Sequence, residues 1–127
     1  MTLTHTTWHR GSRVVMILFY LLGGINHFVN PGFYLLLIPG YLPWPDLLNI
    51  LSGIFEVGLA LALILPRTRR LAAWGIIAML VAFIPAHIHL IQIGGCVAEG
   101  LCIPLWVVWA RLVVIHPLLM AWAWSVR

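Results

Sequence analysis

Apolar residues fill four long stretches of the chain, and short polar or proline-rich breaks separate them. A helix needs roughly 20 consecutive apolar residues, within about 17 to 25, to cross a hydrocarbon core. Residues 12–30 ("SRVVMILFYLLGGINHFVN"), 47–65 ("LLNILSGIFEVGLALALIL"), 71–93 and 103–124 each meet that length. Between the first two lies "PGFYLLLIPGYLPWPD", where four prolines and two glycines argue against a further spanning helix. That segment is expected to form an ordered interfacial or re-entrant piece. The pattern therefore predicts an all-α, integral membrane four-helix bundle forming a single transmembrane domain over residues 1–127.

Composition supports that class. With 63% hydrophobic and 8% charged residues and a mean hydropathy of +1.06, the chain lacks the polar residues that a water-soluble surface requires. Arg10 and Arg13 precede an apolar run as in a signal peptide, but no small-residue cleavage site follows, so the segment is expected to be retained. Charge then sets an orientation. Arg10 and Arg13 lie at the start of span one, Arg67, Arg69 and Arg70 lie between spans two and three, and Arg127 follows span four. The other two loops carry only Asp46 and Glu99. The positive-inside bias places both termini and "PRTRR" in the cytoplasm, with the Pro-rich segment and the cysteine loop outside. The expected location is a membrane that the chain crosses several times. The basic excess records topology and implies no nucleic-acid partner, because the arginines flank helices at separate places.

Polar residues inside the spans point to a site. At about 1.5 Å rise per residue, His27, Glu56, His87, His89 and Arg111 all fall in the outer half of their spans. Asn49, Ser52 and Glu56 share one face of span two, as Tyr20, Gly23 and His27 do on span one, where Asn26 adjoins His27. Charged groups in lipid face a bundle interior or a wet cavity and commonly pair. Glu56 and Arg111 are the opposite charges deep in the spans and are expected to be partners. Such a pair either holds two helices in register or lines a ligand or proton site. The candidate ligand-binding set is Asn26, His27, Asn49, Ser52, Glu56, His87 and Arg111. His116 reads as a lone packing histidine.

His87 and His89, two apart, point about 200° apart on a helix, so they do not converge on one ion and no metal site is expected. His87 is the deeper and is expected to face inward. Pro85 also removes the donor for the Val81 carbonyl, leaving an acceptor for a polar ligand or water. Cys96 and Cys102 bracket the outer loop, where a structural disulfide is expected; a cycling dithiol is the alternative, although the spacing is not the C-x-x-C of redox motifs. Most of the tryptophans fit an interfacial belt. No haem, flavin or nucleotide motif occurs, which argues against stand-alone catalysis.

"GGINHFVNPGFY", "PGYLPW", "LSGIFEVGLALALILPRTRRLAAWG" and "FIPAHIH" together resemble the DoxX-like family of small four-helix bacterial membrane proteins, over roughly residues 14–93. The resemblance emphasises His27, Glu56 and the step from Pro85 to His87. It implies a multi-pass location in a bacterial inner membrane and association with redox systems, including quinone-linked sulfur or thiol oxidation, as part of an oxidoreductase system. Some wider relatives act in the assembly of other membrane proteins. Two functions are thus expected. One is a redox-associated protein that binds a quinone-like or other amphipathic, lipid-soluble molecule in the outer half of the bundle. The other is a non-catalytic scaffold or assembly factor, whose polar cluster is structural and which joins a membrane or redox protein, or its own copies, through Gly23, Gly24, Gly53 and Gly58.

Overall fold

The computed structural model describes residues 2–97 and 101–127, with side chains from residue 5 onward; Glu99 of the cysteine loop lies outside the described residues. Helices run over Thr2–Val29 (α1), Pro31–Leu35 (α2), Pro45–Ala62 (α3), Arg69–Gln92 (α4), Leu105–Ala110 (α5) and His116–Val126 (α6). A π-helical turn, Arg111–Ile115, joins α5 to α6 into one rod. Among the described residues, four segments are long and apolar enough to cross a membrane: His5–Val29, Pro45–Ala62, Arg69–Gln92 and Leu105–Val126. The protein has the all-helical architecture of a multi-pass membrane protein. Helix α1 starts well before residue 12, because hydropathy marks the stretch that lipid would cover and not the end of the backbone helix.

The breaks between helices follow from local chemistry. Helix α3 ends at a turn where the Thr68 hydroxyl donates to the Ala62 carbonyl at 2.7 Å and Arg69 Nε donates to that of Leu63 at 3.4 Å. Those carbonyls have no helical partner, and the side chains supply one. Helix α4 ends in a Schellman motif: the Gly95 N–H donates to the Leu90 carbonyl and the Gly94 N–H to that of Ile91. Both glycines have positive φ, 73° and 81°, a backbone region that costs glycine little. Beyond them Cys96 and Cys102 form a disulfide. Hydrogen bonds from Val97 to Leu101 and from Ile103 to Gly95 lead the chain back toward α5.

Packing is tightest between α1 and α3. A Cβ at Gly24 would lie 2.7 Å from Val57 Cγ2, and one at Gly53 would lie 2.9 Å from the Cβ of His27. Only hydrogen at both positions allows this approach, the small-residue contact typical of helices in lipid. Three of the four glycines expected to form an association surface, Gly23, Gly24 and Gly53, are therefore used inside the bundle, while Gly58 faces open space. The main apolar cluster joins Met16, Tyr20, Leu63, Ile76, Leu80 and Ala123; a smaller one joins Leu90, Val97 and Val108 under the cysteine loop. Large apolar side chains such as Val14, Val15, Leu18, Val113 and Leu118 point outward, as they do in a helix solvated by hydrocarbon.

Candidate functional site

A cavity of about 650 Å³ opens among α1, α3, α4 and the α5–α6 rod. Asn26, His27, Asn49, Ser52, Glu56, His87 and Arg111 all line it. It touches both apolar clusters, through Tyr20 and Leu80 of the larger and Leu37 at the edge of the smaller. Phe19, Leu22, Phe33 and Ile38 complete its apolar walls. A cavity of this size, largely apolar with a few convergent polar groups, has the form of a small-molecule site.

The polar groups fall into two lobes. In the first, on α1 and α3, the Asn49 amide donates from Nδ2 to the His27 carbonyl at 3.0 Å, which fixes the amide's orientation. Its Oδ1 then faces His27 Nδ1 at 2.7 Å. An amide oxygen can only accept, so His27 carries its proton on Nδ1. His27 Nε2 lies 3.4 Å from Glu56 Oε1. That leaves His27 Nε2 facing the carboxyl group, which makes the two an ion pair whenever the imidazole is protonated. Gly23 makes room for the carboxyl group, since a Cβ there would meet Glu56 Oε2 at 2.8 Å. Ser52 donates to the Leu48 carbonyl within its own helix.

This geometry corrects the expected Glu56–Arg111 pair. Glu56 is paired with His27, and among the described residues Arg111 forms no ion pair, although both line the same cavity. Formal charge alone points to Arg111, but His27 packs directly against α3 and lies closer to the carboxyl group.

The Pro-rich segment closes one end of this lobe. The ring of Tyr34 stacks on that of His27 with centroids 3.7 Å apart and planes 20° apart. Asn26 Nδ2 donates to the Tyr34 hydroxyl at 2.8 Å. Pro31, at the start of α2, sets the helical φ that turns the chain back immediately after α1. The pattern predicts an ordered interfacial or re-entrant segment here but does not point to Phe33 and Tyr34 as cavity walls; the aromatic pair beside "NHFVNP" is the signal that the sequence offers. Tyr20, 3% exposed, has a buried hydroxyl with no hydrogen-bond partner among the described residues, which leaves a donor beside the cavity.

The second lobe belongs to α4 and the α5–α6 rod. The rings of His87 and His116 meet edge to face with centroids 4.9 Å apart. His116 Nε2 donates to the Leu80 carbonyl, one residue before the Val81 carbonyl that Pro85 leaves without its helical donor. His116, read from the sequence as a lone packing residue, is thus a buried part of the cavity wall. Arg111 opens the π turn, and the His116 N–H closes it by donating to the Arg111 carbonyl. Single π turns inside helices are frequent at functional sites. His89 does not line the cavity. Among the described residues no group of three or more His, Cys, Asp or Glu is placed to hold a metal ion.

No curated protein and no solved structure matches the chain. A family model does match, over residues 16–127, which includes every residue that lines the cavity. The chain belongs to the family described as "Domain of unknown function (DUF8561)".

Proposed function

We propose that this protein binds an amphipathic, lipid-soluble small molecule in the bundle cavity, with the polar head among His27, Glu56, His87 and Arg111 and the tail along Phe19, Leu22 and Leu37. The observation that carries the reading is the convergence of His27, Glu56, His87, Arg111 and His116, from all four spans, on one largely apolar cavity. Ionisable groups are costly in lipid and mark sites where they occur together. A quinone-like head fits the chemistry, since its carbonyls take imidazole or guanidinium donors and its reduction takes up protons that the His27–Glu56 pair could exchange. The DoxX-like stretches "NHF", "SGIFEVGL" and "FIPAHIH" favour a redox-associated setting. The arginine distribution favours cytoplasmic termini and a cytoplasmic "PRTRR" turn, with the Pro-rich segment on the outer side; the DoxX-like resemblance favours a bacterial inner membrane. Consumption of Gly23, Gly24 and Gly53 inside the bundle leaves the scaffold reading with less surface to work through.

Organic extraction of the purified protein followed by mass spectrometry tests the proposal. A polar-headed amphiphile in near-stoichiometric amount is expected. An extract holding nothing beyond bulk phospholipid would count against it.

A further inference from the structure

The second lobe of the cavity holds a positive charge with no negative partner. Arg111 is exposed and lines the cavity, yet it makes no ion pair with any described residue. Of the described acidic residues, Glu56 is engaged by His27, and Asp46 sits at the start of α3 beside Trp44 and Leu47. His116 spends its Nε2–H on the Leu80 carbonyl. His87 packs edge-on against His116 and has no hydrogen-bond partner among the described residues, so its ring N–H is free to donate. The lobe therefore offers donors and a full positive charge, with apolar walls leading away from it.

An uncompensated arginine within a span is costly, and such residues pair with anions or backbone carbonyls. A neutral carbonyl head would leave most of that charge unanswered. Guanidinium presents two parallel N–H groups that match the oxygens of a carboxylate. We infer that the ligand of this cavity is an acid: an amphiphile with one carboxylate-class head on a long apolar tail, held by Arg111 with His87 donating beside it. This rests on the proposal that the cavity is an amphiphile site, and it narrows the ligand's chemistry.

The test is scintillation-proximity binding of tritiated palmitate to the full chain in a non-ionic detergent. Unlabelled palmitate, methyl palmitate, phosphatidylglycerol and a short-chain ubiquinone serve as competitors, with thermal unfolding alongside. Saturable palmitate binding is expected. Arg111→Gln should weaken it about tenfold or more and Arg111→Lys by less, the scale of a charge-assisted hydrogen bond. Neither should shift the unfolding temperature, because Arg111 makes no described polar contact to lose. Methyl palmitate should compete about tenfold more weakly than palmitate, because its ester carbonyl accepts from guanidinium but supplies neither the counter-charge nor the bidentate pair of oxygens that a carboxylate offers. Displacement by phosphatidylglycerol as effective as by palmitate would overturn the carboxylate assignment and give the anion site to a bilayer phospholipid. Equal competition by methyl palmitate, or undiminished binding to Arg111→Gln, would overturn the inference. Ubiquinone binding without palmitate binding would overturn it while leaving the proposed amphiphile site standing; if no probe bound, both would fall.

Discussion

Asn49 does more for the site than its neutrality suggests. By donating to the His27 carbonyl and accepting from His27 Nδ1, it fixes the ring tautomer and presents Nε2 to Glu56. Energetic coupling should therefore follow His27–Glu56 and not Glu56–Arg111. In detergent unfolding, His27→Ala and Glu56→Gln should each destabilise by about 1–3 kcal/mol, because each leaves buried polar atoms without a partner. The double variant should cost less than the sum. Glu56→Gln combined with Arg111→Gln should be additive to within about 0.5 kcal/mol, as for residues that share no contact; strong coupling there would restore the pairing suggested by charge alone. The polar stripes of α1 and α3 were legible because helical spacing puts Tyr20, Gly23 and His27, and Asn49, Ser52 and Glu56, on single faces. Which groups met across the cavity was not legible. Partner choice depends on how closely helices approach, and that was settled by glycines whose contacts no one-dimensional pattern records. His116 was missed for a related reason: its partner is a backbone carbonyl on another helix.

At the scale of helices, the approach of α1 to α3 brings His27 within reach of Glu56. Gly24→Ala places a methyl group against Val57 and should destabilise by about 1–3 kcal/mol, the usual cost of overpacking. Gly58→Ala, on the same pair of helices but with nothing within 4 Å, should be neutral or stabilising by up to about 1 kcal/mol through helix propensity. Equal effects in thermal unfolding would contradict this packing. The spans themselves were readable because hydropathy and length are local properties. The π turn at Arg111–Ile115 was not, since one extra residue in a turn leaves the apolar pattern of a span almost unchanged. Pro85 and Pro117 mark where the helical hydrogen-bond ladder must be interrupted, but not which donors enter the gaps.

For the whole molecule, the arginine-bearing end opposite the cysteine loop gives an orientation that chemistry can check. Single cysteines introduced at residues 66–70, in a background lacking Cys96 and Cys102, should react with an impermeant maleimide only after the membrane is opened from the cytoplasmic side. Labelling from outside would reverse the topology and put the cavity in the inner half of the bilayer. The central claim is that the cavity is occupied by an amphiphile. Ala86 lines the cavity without contributing to either polar lobe, so Ala86→Phe fills the space and spares the hydrogen bonds. The most direct measurement is the amount of amphiphile that co-purifies with wild type and with Ala86→Phe, quantified by mass spectrometry on samples matched for unfolding temperature. The occupied-cavity account requires near-stoichiometric ligand on wild type and its loss from the filled variant. The same amphiphile retained in equal amount by Ala86→Phe would contradict it.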